Sequence, residues 1–154
     1  MKNSLLSLFA ICMLLNFYAC TADDEGLIED SPITIERFQI NNELFNLDEG
    51  TITVSRNESF RFSLDLIDEG LIKSYEAYIL INDDLEKRWS LTPEYEVETS
   101  IMHWGYNFAD LREIFQDGGT YFETEAGDAL HFYINVADDT ENETNIYFKA
   151  NLID

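Results

Sequence analysis

The sequence has little cysteine and little positive charge. Its two cysteines, Cys12 and Cys20, both fall within the first twenty of 154 residues. The rest of the chain therefore has no thiol for a disulfide, a zinc site or a nucleophile. Only 9 lysines and arginines stand against 31 acidic residues, giving a formal charge of −22. That charge repels nucleic acid and anionic lipid headgroups, and it favours cations, basic proteins or neutral sugars as partners.

The first twenty residues have the order of a bacterial lipoprotein signal. Lys2 provides a positive start, residues 5–15 form a short apolar run, and Ala19 precedes Cys20. The apolar run is shorter than the roughly 20 residues that a membrane-spanning helix needs. We therefore expect a signal peptide over residues 1–19 and lipidation of Cys20 by acyl chains such as palmitate, which would anchor the mature chain. General secretion without lipid and a transmembrane anchor are the alternatives.

Residues 20–32 are predicted to form a flexible acidic linker. The stretch Thr-Ala-Asp-Asp-Glu follows Cys20 directly and lacks any periodicity. It resembles the acidic export tag of surface lipoproteins in Bacteroidetes. This resemblance implies a lipid-anchored protein of the outer membrane that is exposed at the cell surface. A plain acidic tether would have the same composition and is the alternative.

The hydrophobic pattern of residues 33–154 has mostly a period of two. Apolar and polar residues alternate over 60–66, 95–101, 130–136 and 146–152. Such alternation is typical of antiparallel strands with one buried and one solvated face. With the shorter runs between them, seven or eight strands are predicted in one domain. The predicted fold is an all-β, immunoglobulin/cadherin-like antiparallel β-sandwich, with a small β-barrel as the alternative.

One stretch departs from this period. Phe108, Leu111 and Ile114 recur at helical spacing, after a possible N-cap at Asn107 and before Gly118. The pattern predicts one short helix near residues 107–116. Turn residues separate the predicted strands, including the acidic turns at 68–70 and 138–143.

Two segments carry a family likeness. Residues 68–75 (DEGLIKSY) and 132–142 (FYINVADDTEN) resemble a turn and strand, and a penultimate strand with its closing turn, in cadherin-like domains of bacterial surface proteins. With the lipoprotein start, the chain resembles an uncharacterised surface lipoprotein family of Bacteroidetes, a domain of unknown function. The likeness implies a cadherin/immunoglobulin-like β-sandwich. The strand histidines typical of that family are missing here, and only His103 and His131 are present.

The acidic turns are candidate calcium ligands. In a sandwich of this type the loops after the second and sixth strands lie at one end, which would bring both acidic turns together. Carboxylate oxygens from two loops suit Ca²⁺, which takes six to eight oxygen ligands. A solvated acidic rim is the simpler interpretation. The candidate ligands are Asp68, Glu69, Asp138, Asp139 and Glu141, with Asn142 and Glu143 beside them.

An aromatic stretch is a second candidate site. Residues 102–108 (MHWGYNF) contain four bulky aromatic or imidazole rings, and Trp89 lies on a short predicted strand. Exposed tryptophan and tyrosine rings stack on sugars or anchor protein partners. Packing at one mouth of the sandwich is the alternative. Trp104 and Tyr106 are expected to stay partly exposed, and Trp89 completes the candidate ligand-binding set.

Sequence motifs for catalysis are missing. No serine lies in a nucleophile-elbow context, and no glycine-rich phosphate loop or HExxH motif occurs. His103 or His131 could pair with one of the many acids, which keeps a hydrolase as the weakest alternative. The sequence thus favours a non-catalytic binding or accessory module at the cell surface that presents loops and an aromatic patch to a protein or a glycan. A Ca²⁺-binding module stiffened at its acidic end is the main alternative.

Overall fold

The structure is a computed structural model that describes residues 32–115 and 121–154, without the side chains of 93–95, 115 and 121. The predicted signal peptide, the lipidated Cys20 and the linker up to residue 31 lie outside the described residues. Across the described ranges, no helix is long and apolar enough to cross a membrane.

The described residues form strands and no helix. The all-β prediction is therefore confirmed, although nine strands replace the expected seven or eight. The strands are β1 (Thr34–Ile40), β2 (Glu43–Leu44), β3 (Thr51–Ser55), β4 (Phe60–Ile81), β5 (Asp84–Phe108), β6 (Glu113–Phe115), β7 (Tyr121–Glu123), β8 (Ala129–Asp138) and β9 (Glu143–Ile153).

Two unusually long strands organise the fold. Strands β4 and β5 have 22 and 25 residues and pair with each other over most of their length. Along one edge, the first half of β4 pairs with β1 and its second half pairs with β8. The register shifts between Ile67 and Ile72, so residues 68–71 form a bulge. Such bulges bend a strand and let it pass from one sheet layer to the other. The turn predicted at 68–70 is thus wrong, because the strand continues through it.

The two layers pack face to face around an aromatic core. Phe62 on β4 lies 5.5 Å, between ring centroids, from both Phe132 and Phe148, with which it forms no ladder pair. Phe38 on β1 likewise contacts Phe148 on β9 at 5.1 Å. Strand β9 pairs with neither β1 nor β4, so the contacts of Phe148 with Phe38 and Phe62 join two facing layers, which confirms the predicted β-sandwich. Burial of these rings removes a large apolar area from water and stabilises the packing of the two layers.

The sheet is mixed rather than fully antiparallel. Strand β3 pairs in parallel with the last strand, from Thr51 opposite Lys149 to Ser55 opposite Ile153. The other ladders, including β6 with β7, are antiparallel. The antiparallel prediction therefore fails at this one edge, where β3 joins the sheet beside a strand distant in sequence.

The helix predicted near 107–116 is also wrong over its described residues. Strand β5 continues to Phe108, a bend follows, and β6 begins at Glu113. Leu111 is buried, its N–H donates to the Arg56 carbonyl at 2.9 Å, and its carbonyl accepts from Thr124 Oγ1 at 2.5 Å. The three-residue spacing of apolar side chains thus arises from a bend between two strands and not from a helical turn.

Candidate functional site

A polar groove lies on the outer face of the first layer. Along β4 and β5, even-numbered residues from 60 to 66 and from 102 to 108 point toward the core, whereas their odd-numbered neighbours point outward. Strand β1 adds Arg37 and Gln39 to the outward set. The outward side chains enclose about 640 Å³. We call this the polar groove, and it is lined by Arg37, Gln39, Arg61, Ser63, Asp65, His103, Trp104, Gly105, Tyr106 and Asn107.

An ion-paired network forms one wall of the polar groove. Asp65 on β4 and His103 on β5 are register partners, and Asp65 Oδ1 lies 2.8 Å from His103 Nδ1. The other oxygen, Oδ2, forms an ion pair with Arg37 Nη2. The Asp65 side chain is 10% exposed, whereas those of Arg37 and His103 are 53% and 67% exposed. The carboxylate therefore holds two cationic or polar groups in place while leaving their other donors open to a ligand.

The network also fixes the charge of Asp65. The hydrogen bond from His103 lowers the pKa of the Asp65 carboxyl, burial opposes this effect, and the Arg37 guanidinium lowers the pKa further. The net result is a pKa below the ordinary value of 3.8. Asp65 is thus ionised at neutral pH, and it remains an acceptor for its two partners.

Gly105 keeps the floor of the polar groove open. A Cβ at this position would lie 2.5 Å from the Phe62 carbonyl oxygen and 3.0 Å from Ser63 Cα, so the position has no room for a side chain. Arg61 lies next to this gap, opposite Asn107 in the ladder. Among the described residues Arg61 forms no ion pair. Its guanidinium is therefore a donor without a committed acceptor.

Two of the candidate aromatic residues, Trp104 and Tyr106, line part of the polar groove, although their rings pack against core aromatic rings. Trp104 and Tyr106 are half-buried, with Trp104 packed on Phe62 at 5.4 Å and Tyr106 on Trp89 at 5.8 Å. Trp89 itself is buried, so its ring is not an open platform. A smaller cavity of about 400 Å³, the aromatic pocket, adjoins the polar groove at Tyr106 and Asn107. The aromatic pocket is lined by Trp89, Tyr106, Asn107, Phe108, Ala109, Asp110, Arg112 and Glu113.

Asp138 is committed to its own loop. Its Oδ1 accepts hydrogen bonds from the Thr140 N–H and hydroxyl and from the Asn142 N–H, at 2.8–2.9 Å, and its Oδ2 accepts from Asn142 Nδ2 at 3.1 Å. Burial opposes ionisation of Asp138, but the donors of Thr140 and Asn142 together outweigh it and lower the pKa. This carboxylate therefore closes the turn between β8 and β9.

The other proposed calcium ligands are only partly brought together. The β4 bulge and the β8–β9 turn do lie side by side, because the Asp139 N–H donates to the Leu71 carbonyl at 3.0 Å. Asp68 is buried, whereas Glu69, Asp139 and Glu141 are more exposed. Within the described ranges, no group of three or more Asp, Glu, His or Cys side chains is placed to hold a metal ion. The five-residue cluster expected from the sequence is not assembled as one set.

Removing the Asp138 carboxylate should destabilise the protein. We expect Asp138→Ala to lower the free energy of unfolding by about 2–3 kcal/mol, because the donors of Thr140 and Asn142 lose a charged, buried acceptor. Since the pKa of Asp138 is lowered on folding, this stabilisation is present above the ordinary value of 3.8 and is lost as the pH falls through the lowered value. Urea denaturation at pH 7 and pH 3 measures both effects.

The control for this prediction is Asp48→Ala, since Asp48 is exposed in the turn before β3. It should change the free energy of unfolding by less than about 0.5 kcal/mol. Equal losses in the two variants would show that general charge, and not the closed turn, accounts for the effect.

The two histidines have different surroundings. His131 lies on the outer face of the second layer, where its Nδ1 is 2.9 Å from the Tyr147 hydroxyl. Burial lowers its pKa, the Asp83 charge opposes this, and Lys149 adds to the lowering. Tyr147 belongs to a cross-strand stack with Tyr133 and Tyr78, in which burial and the hydrogen bond to Asp83 raise the pKa of Tyr133 to about 12. The rings cover one another, so this stack stabilises the sheet.

The Asp65–His103 pair has one further neighbour of chemical interest. Ser63 lies two residues before Asp65 on the same outward face of β4, opposite Gly105. In the described region, the hydroxyl of Ser63 makes no hydrogen bond to His103. A serine nucleophile needs its base within hydrogen-bond reach. The arrangement therefore provides a network for binding and does not show an assembled catalytic triad.

Sequence reasoning missed the polar groove because its members come from three strands. Asp65, His103 and Arg37 are 28–66 residues apart in the sequence, and only the pairing of β4 with β1 and β5 brings them together. The one sequence feature that indicates the polar groove is the outward position of Arg61, Ser63 and Asp65 in the alternating run of β4. The partners of these residues depend on the register, which the pattern did not specify.

Known structures show only weak similarity to this chain. No family model matches the chain, and no curated protein matches it. A Niemann-Pick type C2 protein from the Japanese carpenter ant is similar, with a TM-score of 0.43 and 11% identity, over 79% of this chain and 93% of that one. The CARDB domain of a Pyrococcus furiosus protein, solved in complex with di-metal ions, has a TM-score of 0.37 and 12% identity, over 80% and 90%.

A β-glucosidase from Listeria innocua, solved in complex with glucose, has a TM-score of 0.39 and 7% identity, and the match covers 79% of this chain but 16% of the enzyme.

Proposed function

We propose that this protein is a non-catalytic binding module and that its ligand is a neutral glycan held in the polar groove. The observation that carries the proposal is the network of Arg37, Asp65 and His103 on an open groove with a glycine floor. Planar side chains whose orientation is already fixed bind hydroxyl groups without a further ordering cost. Donors from arginine and histidine, and acceptors from Ser63 and Asn107, match the mixed character of sugar hydroxyls.

The lining favours a polyhydroxylated ligand over a protein partner. Protein interfaces depend on buried aromatic or aliphatic anchors surrounded by a polar rim. The polar groove has mostly polar side chains, and its two aromatic residues, Trp104 and Tyr106, are half-buried in packing. The chain charge of −22 also opposes polyanionic ligands at long range. A neutral oligosaccharide suits both the polar lining and the negative charge of the chain.

The aromatic pocket extends the proposed site. It shares Tyr106 and Asn107 with the polar groove, and its other walls include Trp89 and the ion pair of Asp110 with Arg112. A glycan of several residues would pass from the polar groove toward this pocket, where a ring face could contact aromatic surface. Binding should therefore strengthen with the length of the oligosaccharide.

Membrane display is part of the same proposal. The predicted lipid at Cys20 would tether the module through the linker that ends at Pro32. The domain begins at Ile33, whose carbonyl accepts a hydrogen bond from Thr144 Oγ1 at 3.4 Å, and the next residue, Thr34, pairs with Ile67 beside the β4 bulge. A surface lipoprotein of this kind would hold a glycan close to the outer membrane and pass it to a partner system.

Replacing Arg61 tests the proposed function. We expect Arg61→Ala to weaken binding of the best neutral glycan about tenfold, a loss of about 1.4 kcal/mol, because Arg61 is the uncommitted donor of the polar groove. The measurement is isothermal titration calorimetry after a screen against xylan, mannan and dextran, with heparin and a basic protein as competing ligand classes.

Lys87→Ala is the matched control, since it removes the same charge from an exposed position of β5 outside the polar groove. It should leave affinity unchanged. The proposal fails if both variants lose affinity equally, or if the screen finds only heparin or only the basic protein.

A further inference from the structure

We infer that the β4 bulge contains a binding site for one Ca²⁺ ion, formed by Asp68 and Asp139 above Gly70. This site is separate from the polar groove. It also differs from the five-residue cluster expected from the sequence, because it uses two carboxylates and leaves Asp138 in its structural role. Its ligands come from the β4 bulge and from the residue that follows β8.

The first observation is a buried oxygen without a partner. Asp68 is 5% exposed, and its Oδ2 has no hydrogen-bond partner among the described residues. Leaving a carboxylate oxygen buried and unpaired is costly, and native structures nearly always satisfy such atoms. No arginine, lysine or histidine of the described chain forms an ion pair with Asp68 or Asp139. A bound cation would satisfy this oxygen.

The second observation is a cradle at Gly70 that two carboxylates share. A Cβ on Gly70 would lie 2.9 Å from Asp139 Oδ1 and 3.5 Å from Asp68 Oδ2. Both oxygens therefore face the space that a side chain would fill, and glycine leaves it empty. The backbone of Gly70 is in an ordinary region, so its small size, rather than a positive φ, is what this position uses.

The surrounding backbone holds the two carboxylates in position. The Asp139 N–H donates to the Leu71 carbonyl at 3.0 Å, and the Leu71 N–H donates to Asp139 Oδ1 at 3.4 Å. Asp138 closes the following turn with its four hydrogen bonds. Because residues 68–71 have no register partner in either neighbouring ladder, backbone carbonyls of the bulge and water can complete an oxygen shell. Ca²⁺ accepts such irregular sets of oxygen ligands, whereas Mg²⁺ requires a near-ideal octahedron.

Calcium titration of the full chain, purified in detergent, tests the inference. We expect the Tm in EDTA to rise on addition of Ca²⁺, with a dissociation constant on the order of 10⁻⁴ to 10⁻³ M, as for other extracellular calcium modules. Asp68→Asn and Asp139→Asn should each weaken binding at least tenfold. Gly70→Ala should do the same, because its methyl group would occupy the cradle.

Glu36→Gln is the charge-matched control, because Glu36 is an exposed residue of β1, and this variant should bind Ca²⁺ like the original chain. If Asp68→Asn does not fold, Asp139→Asn and Gly70→Ala still decide the question. The inference is overturned by a Tm that does not respond to Ca²⁺, or by unchanged affinity in the variants that fold.

Discussion

Replacement of Phe132 by alanine should lower the free energy of unfolding by about 3–5 kcal/mol, a large fraction of the stability of a domain this size. The Phe132 ring is fully buried and stacks on Phe148 at 4.4 Å, with interplanar angle 5°. It also contacts rings of the opposite layer, at 5.5 Å from Phe62 and 5.6 Å from Phe60. Alanine would remove these ring contacts between the layers and leave a cavity that the neighbouring rings, which include Phe108 at 6.3 Å, cannot fill.

Guanidinium denaturation followed by circular dichroism measures this loss. Leu85→Ala is the control, since Leu85 is 78% exposed, and its removal should change stability by less than about 0.5 kcal/mol. Phe132→Leu should fall between the two. A loss below about 1 kcal/mol for Phe132→Ala would mean that the two layers do not pack through this ring.

Gly105→Ala should destabilise the protein by about 1–3 kcal/mol and also weaken ligand binding in the polar groove. Whether Gly105→Ala lowers or raises the free energy of unfolding shows whether this position is obstructed. Alanine in the middle of a strand is ordinarily more favourable than glycine by roughly 0.5–1 kcal/mol, so an unobstructed position would gain stability. Here the new Cβ would lie 2.5 Å from the Phe62 carbonyl oxygen, so β4 and β5 would have to separate.

Asn107→Ala is the control for stability, because Asn107 is exposed on the same strand face two residues away. It should change the free energy of unfolding by less than about 0.5 kcal/mol. A stability gain in Gly105→Ala would contradict the close approach of the two strands that forms the floor of the polar groove.

Much of the fold could be predicted because burial alternates along single strands. The runs at 130–136 and 146–152 place every second residue in the core, and the structure has β8 and β9 there. The bulge at 68–71 could not be predicted, because Asp-Glu-Gly has the composition of a turn and only the pairing with β1 and β8 shows that the strand continues. Likewise, the apolar spacing after Phe108 fits a helix until the hydrogen bonds of Leu111 are known.

The candidate sites depended more strongly on tertiary structure. The two acidic segments do lie side by side, but residues 68–71 form a bulge within β4 and not the predicted loop between two strands. The sequence could not show that the Asp138 carboxylate accepts hydrogen bonds within its own turn, whereas Asp68 Oδ2 is buried without a hydrogen-bond partner among the described residues. The Asp65–His103 pair required the register of β4 with β5, and a shift of one residue would turn both side chains to the opposite face.

NMR mapping of a neutral oligosaccharide on the isotope-labelled protein tests the proposed glycan site directly. We expect the amide chemical shifts to change most at Arg61, His103 and Gly105, which line the polar groove. Smaller changes should extend to Tyr106 and Asn107 at the aromatic pocket. Changes centred on the tyrosine stack of the second layer would rule out the polar groove as the glycan site, and so would a ligand screen in which no neutral glycan perturbs it.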